Sequence, residues 1–84
     1  MEKRTLEFMR REIDAVDKEL AMLLARRFAI AKAIGQSRLK SSIKDESREN
    51  EVLLNIRQSA GKEFAGNAAA VYLEIIKQSR KVQE

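Results

Sequence analysis

Apolar residues along the first half of the chain recur at alternating steps of three and four: Leu6, Met9, Ile13, Val16, Leu20, Leu23, Ile30 and Ile34. That spacing gathers them on one stripe of an α-helix, and its near-heptad register is that of a coiled-coil seam. The pattern predicts a first helix from about Thr5 to Lys40. Proline is absent, glycine occurs only at Gly35, Gly61 and Gly66, and good helix formers fill the rest, so no strong breaker interrupts it. Lys40 to Lys44 reads as a short loop, after which Asp45 or Ser47 can cap a second helix carrying Val52, Leu53, Ile56 and Ala60 on one side. The stretch from Gly61 to Gly66 ends that helix. A third helix, from about Asn67 to Gln83, aligns Ala68, Val71, Tyr72, Ile75 and Ile76, and the same face continues into Ser79 and Gln83. The expected fold class is all-α, with three helices in one domain over residues 1–84.

Length changes this picture. A first helix of that extent is on the order of 50 Å long at 1.5 Å per residue, more than the remainder of an 84-residue chain can cover. A chain this short also has a marginal core of its own. A second protomer is therefore expected to cover that helix in a homodimer. With no cysteine and no histidine, neither disulfides nor a thiolate or imidazole metal site can support the fold, and no metal or cofactor is expected. The longest apolar run, Leu20 to Ala25, is far shorter than the roughly 20 residues of a membrane span, and the charged N-terminus lacks a signal-peptide core. The expected setting is cytoplasmic, without membrane contact. The net charge of +4 favours an anionic partner without choosing its class.

One seam position breaks the pattern. Counting sevens from Leu6 gives Ile13, Leu20, Arg27 and Ile34, which puts a guanidinium where a leucine belongs. An unpaired buried arginine is strongly unfavourable, so Arg27 must meet an anion: Glu49, another acidic side chain, or the carboxylate of a ligand. Taken alone, an ion pair that fixes helix register explains Arg27 as well as a ligand does. Its neighbours shift the balance. Arg10 and Arg38 flank the same seam 28 residues apart, about 42 Å along a straight helix, so one chain cannot bring them together. Two first helices packed antiparallel and crossing near residue 20 would set the partner's Arg10 level with about residue 30, and three guanidiniums would face one cavity. Asp45, Arg48 and Glu49 share a side of helix two with Val52, and Ser79 and Gln83 lie one turn apart on helix three. Each of these polar groups alone reads as solvated surface. A basic hairpin that binds nucleic acid is the rival from another class; acids interleave with the bases and Arg27 points into the seam, so no nucleic-acid partner is expected.

The segments themselves then carry a resemblance. Met9-Arg10-Arg11-Glu12-Ile13-Asp14-Ala15-Val16-Asp17 is similar to the first-helix signature of the all-helical, AroQ-class chorismate mutases, an arginine ahead of I-D-x-(I/L)-D. Leu23 to Ala31 resembles the family's L-x-x-R segment through Arg27, Ala33 to Arg38 its I-G-x-x-K segment, and Lys44 to Glu49 its D-x-x-R-E motif. The likeness covers essentially the whole chain. It implies an intertwined helical homodimer that rearranges chorismate to prephenate in phenylalanine and tyrosine biosynthesis, with Arg10 lent to the other subunit's site. By the same likeness Arg27 and the partner's Arg10 bind the two carboxylates, and Arg38 and Gln83 donate to the ether oxygen. Glu49, helped by the backbone near Asp45, accepts the ring hydroxyl, Ser79 bonds the ring carboxylate, and Arg48 buttresses the pocket. Two departures stand out: Arg38 occupies a position where the family has lysine, and the loop from Arg38 to Asp45 is short. The same fold also hosts an alternative, isochorismate-pyruvate lyase, and a non-catalytic regulatory module.

Overall fold

A computed structural model describes residues 5–37 and 44–84 as three helices, α1 (Leu6–Ser37), α2 (Glu46–Ala60) and α3 (Ala65–Gln83), with no strand among the described residues. Each boundary has a local cause. Thr5 opens α1, its Oγ1 accepting the Phe8 N–H at 3.1 Å, and at the other end the Ser37 hydroxyl donates to the Ile34 carbonyl at 2.6 Å. Of the two capping residues considered for α2, Asp45 serves: its backbone is extended and its Oδ1 accepts the Arg48 N–H at 3.0 Å. Glu46 and Glu49 in that first turn suit the positive end of the helix dipole. The expected end of α1 at Lys40 and the following loop as far as Ile43 fall outside the described residues, and the loop's last expected residue, Lys44, lies outside any helix.

The second break is tighter than the sequence suggests. Gly61 stops α2 with φ 87° and ψ 163°, a positive-φ conformation that glycine adopts without steric cost, and it is the one glycine at positive φ among the described residues. A turn closed by the Phe64 N–H on the Gly61 carbonyl at 3.2 Å then launches α3 at Ala65, two residues ahead of the expected Asn67. Gly66 therefore lies inside α3, and a methyl group there would meet nothing within 4 Å. Glycine in a helix is entropically costly, so Gly66→Ala is expected to stabilise the fold by about 0.5–1 kcal/mol, read as a rise of a few degrees in the thermal midpoint.

Helix α3 packs against both α1 and α2, while α1 and α2 do not approach each other. Being flanked on two sides, α3 supplies most of the buried residues: Ala69, Ile76 and Ser79, against Ala31 alone from α1. This shifts the expected face of α3. Ala69 is inside, whereas Val71 is 61 % exposed, because it points away from both neighbours. On α2, Val52, Leu53 and Ile56 are half-buried as expected, but Ala60, beside the exposed Gly61 turn, is not covered.

Helix α1 uses two different stripes. Leu24, Arg27, Phe28, Ala31 and Gly35, spaced for one helical face, lie against α3. The seam stripe is left open: Ile13, Val16, Leu20, Leu23, Ile30 and Ile34 are all exposed, and so is every residue from Thr5 to Leu23. The N-terminal half of α1 is thus an arm, and the chain measures 57 × 24 × 15 Å with a radius of gyration of 16.2 Å. A compact domain of this length has a radius near 12 Å. Its accessible surface of 7225 Å² likewise exceeds the roughly 5,100 Å² of a compact monomer of 9.6 kDa. Among the described residues, no helix is long and apolar enough to cross a membrane.

Candidate active site

Because α1 and α2 lean on α3 without meeting, a cleft of about 420 Å³ opens between them, within the usual range for a small-molecule site. Its apolar surface comes from Ile30, Ala31, Ile34, Val52 and Ile76, and its polar rim from Arg27, Asp45, Arg48, Glu49, Ser79, Arg80 and Gln83. Six of the eight residues singled out in the sequence therefore meet in one place. Arg10 does not: it lies on the exposed arm, 17 residues before Arg27 and so about 26 Å away along α1. Arg38 lies outside the described residues.

Arg27 is held without a carboxylate. Its Nη1 donates to Ser79 Oγ at 2.5 Å, and its guanidinium carbon lies 5.2 Å from the centre of the Tyr72 ring, within cation–π range. Among the described residues no acidic side chain pairs with it, so the Glu49 partnership considered from the sequence is not formed. Ser79 is 7 % exposed and its own hydroxyl proton goes to the Ile75 carbonyl at 2.8 Å. The hydroxyl thus donates once and accepts once: the proton fixes the rotamer, and one of its two lone pairs aims the arginine. In this arrangement Ser79 acts on Arg27 and has no proton left for a ligand. Arg27 keeps the rest of its fork for an anion in the cleft.

Glu49 pairs instead with Arg80, Nη1 to Oε2 at 2.7 Å, across the two sides of the cleft. Both side chains are largely shielded, which makes this pair stronger than a surface one. It ties α2 to α3 and occupies one carboxylate oxygen, leaving Oε1 without a protein donor among the described residues. Arg80 was not among the residues expected from the sequence. The signal was present: Ile76, Ser79, Arg80 and Gln83 follow the i, i+3, i+4, i+7 spacing of one helix face. Arg48 turns to Glu51 on its own helix, one turn on, with the guanidinium largely exposed. Its backbone N–H is the donor that Asp45 caps, so Asp45 contributes to the cleft as a helix cap with one oxygen already engaged.

The sum is three guanidiniums, from Arg27, Arg48 and Arg80, against two carboxylates, from Asp45 and Glu49. Half-buried positive charge beside an apolar wall favours a small organic anion with a hydrophobic body. No group of acidic side chains able to hold a metal ion occurs among the described residues. Comparison with curated proteins and with solved structures found no match. Comparison with protein families did: the family described as chorismate mutase type II matches residues 9–84. That span includes the exposed arm from Met9 onward, the cleft and every residue on its rim, and the chain belongs to the type II chorismate mutase family.

Proposed function

We propose that the chain is a chorismate mutase acting in phenylalanine and tyrosine biosynthesis, and that it works as an intertwined homodimer in which Arg10 of each chain completes the other chain's site. The observation that carries this reading is Arg27: a half-buried guanidinium aimed by Ser79 and Tyr72 into an apolar cleft, with no carboxylate partner among the described residues. Chorismate supplies what is missing, two carboxylates on a hydrophobic ring. The dimer is supported by the uncovered seam. An arm with six or more exposed apolar residues, on a chain whose surface exceeds that of a compact monomer by about 2,100 Å², fits an obligate rather than a transient contact.

Conversion of chorismate to prephenate is an intramolecular Claisen rearrangement. One C–O bond breaks as one C–C bond forms, and no proton leaves the molecule. The protein's task is to hold the reactive conformer and to stabilise charge that grows on the ether oxygen. Arg27 and the partner chain's equivalent of Arg10 clamp the two carboxylates through paired N–H donors. Gln83 and Arg38 donate to the ether oxygen. Glu49, with Oε2 pinned by Arg80, accepts the ring hydroxyl on Oε1, and Asp45 and Arg48 fix the start of α2 beneath it. Ser79 keeps the Arg27 fork in register.

The direct test is to add chorismate to the purified chain, follow the loss of its absorbance and identify the product. Prephenate formed at an enzymatic rate is the expected outcome. Salicylate and pyruvate from isochorismate, with chorismate untouched, would replace the reading with the lyase, and absence of turnover on either would replace it with a binding module of the same fold.

A further inference from the structure

Gln83 is the last residue of α3, and helix ends fray. A donor at such a place is of little use unless something holds it, because the benefit of preorganisation vanishes when the group must be aimed during the reaction. The α1 helix provides the hold. A methyl group on Gly35 would come to 2.8 Å from both the Cα and the carbonyl oxygen of Gln83, and to 3.0 Å from its Cβ. Two of those three atoms are backbone, so no rotation of the glutamine side chain relieves the clash. The last turn of α3 would have to move as a body. The other two glycines show no such contact, with nothing within 4 Å of either. Gly35 is also a poor helix former within α1, at a position where alanine would serve the helix better if space allowed.

We propose that Gly35 is a positioning residue: its missing side chain makes the seat on which the Gln83 backbone rests, and that seat sets where the Gln83 amide enters the cleft. This rests on the reading of Gln83 as the ether-oxygen donor. Gly35 touches no substrate and acts only through Gln83.

The seat has a signature in the unaltered protein. Backbone amides of Lys81, Val82 and Gln83 should exchange hydrogen about as slowly as those at the centre of α3, while the last turn of α2, ahead of the unsupported Gly61, should exchange fast. Kinetics then tests the consequence with Gly35→Ala, Gln83→Ala and the double variant, and with Gly66→Ala as a control expected to match the parent. Gly35→Ala should lower kcat on the order of 10-fold or more with KM within about 2-fold, and in the Gln83→Ala background it should change kcat by less than about 2-fold. Free exchange at the end of α3, an unchanged kcat in Gly35→Ala, or losses that multiply in the double variant would each overturn the proposal. If the parent does not convert chorismate, the mutase reading falls, and exchange alone decides the seat. It decides equally if Gly35→Ala does not fold.

Discussion

Arg27→Ala should lower kcat/KM by roughly 100- to 1,000-fold while leaving the fold in place, the scale seen when one preorganised donor is removed from a reacting anion. The two halves of this result answer different questions. If Arg27 were one member of a structural ion pair, deleting it would strand a buried carboxylate and cost about 3–5 kcal/mol of stability. Its partners here are a serine hydroxyl and a tyrosine ring, both of which tolerate its departure. Ser79 keeps its bond to the Ile75 carbonyl, and Tyr72 loses only a contact on one face. Thermal unfolding of Arg27→Ala beside turnover of chorismate is the check. Lost activity with a preserved melting transition supports a guanidinium kept for a ligand. Preserved activity, or collapse of the fold, removes Arg27 from the role given to it. Arg27→Lys should recover little, because an ammonium on a flexible stem cannot make the two parallel bonds of a planar fork, nor stack equally on Tyr72.

Much of this arrangement was legible in the sequence because helices announce themselves by period. The seam of α1, a cap at Asp45 or Ser47 and the shared face of Ile76, Ser79 and Gln83 follow from spacing, and six of the site residues that the family resemblance adds to that pattern line one cleft. Period does not tell which of two faces a helix gives to its own chain. The seam stripe of α1 is the one expected to meet a second protomer, and within one chain the adjacent stripe through Leu24, Phe28, Ala31 and Gly35 does the packing. Arg27 sits where the two stripes meet, which is why it breaks the one and faces the cleft of the other. The misplaced residues have a similar origin. Val71 fits the apolar pattern of α3, but α3 is clasped from two sides and Val71 falls on neither. Arg80 is a charged residue near a helix end, a place where spacing gives no sign of a partner, and the tertiary approach of Glu49 supplies one. The closeness of Gly35 to Gln83 joins residues 48 positions apart, and no local rule reports such a distance.

Arg10→Ala should be as inactive as Arg27→Ala, yet mixing the two inactive proteins should restore activity. Within one chain Arg10 lies about 26 Å along α1 from Arg27, on an arm whose residues Thr5 to Leu23 touch nothing of their own chain closely enough to be shielded. An arginine placed there acts on a cleft only if the cleft belongs to another copy. In a mixed dimer the chain that carries Arg10→Ala keeps its own Arg27 and receives Arg10 from its partner, so one of the two sites is whole. The other site lacks both residues. Random re-pairing makes half of all dimers mixed, with one intact site of two, and so predicts about one quarter of parental turnover. Intertwined arms separate slowly, so the two variants are best unfolded together and refolded, with each variant refolded alone as the reference. Recovery near that fraction establishes sites shared between chains. A mixture no more active than its components means that each cleft is complete within one chain, and that the exposed seam of α1 serves assembly without lending Arg10 to chemistry.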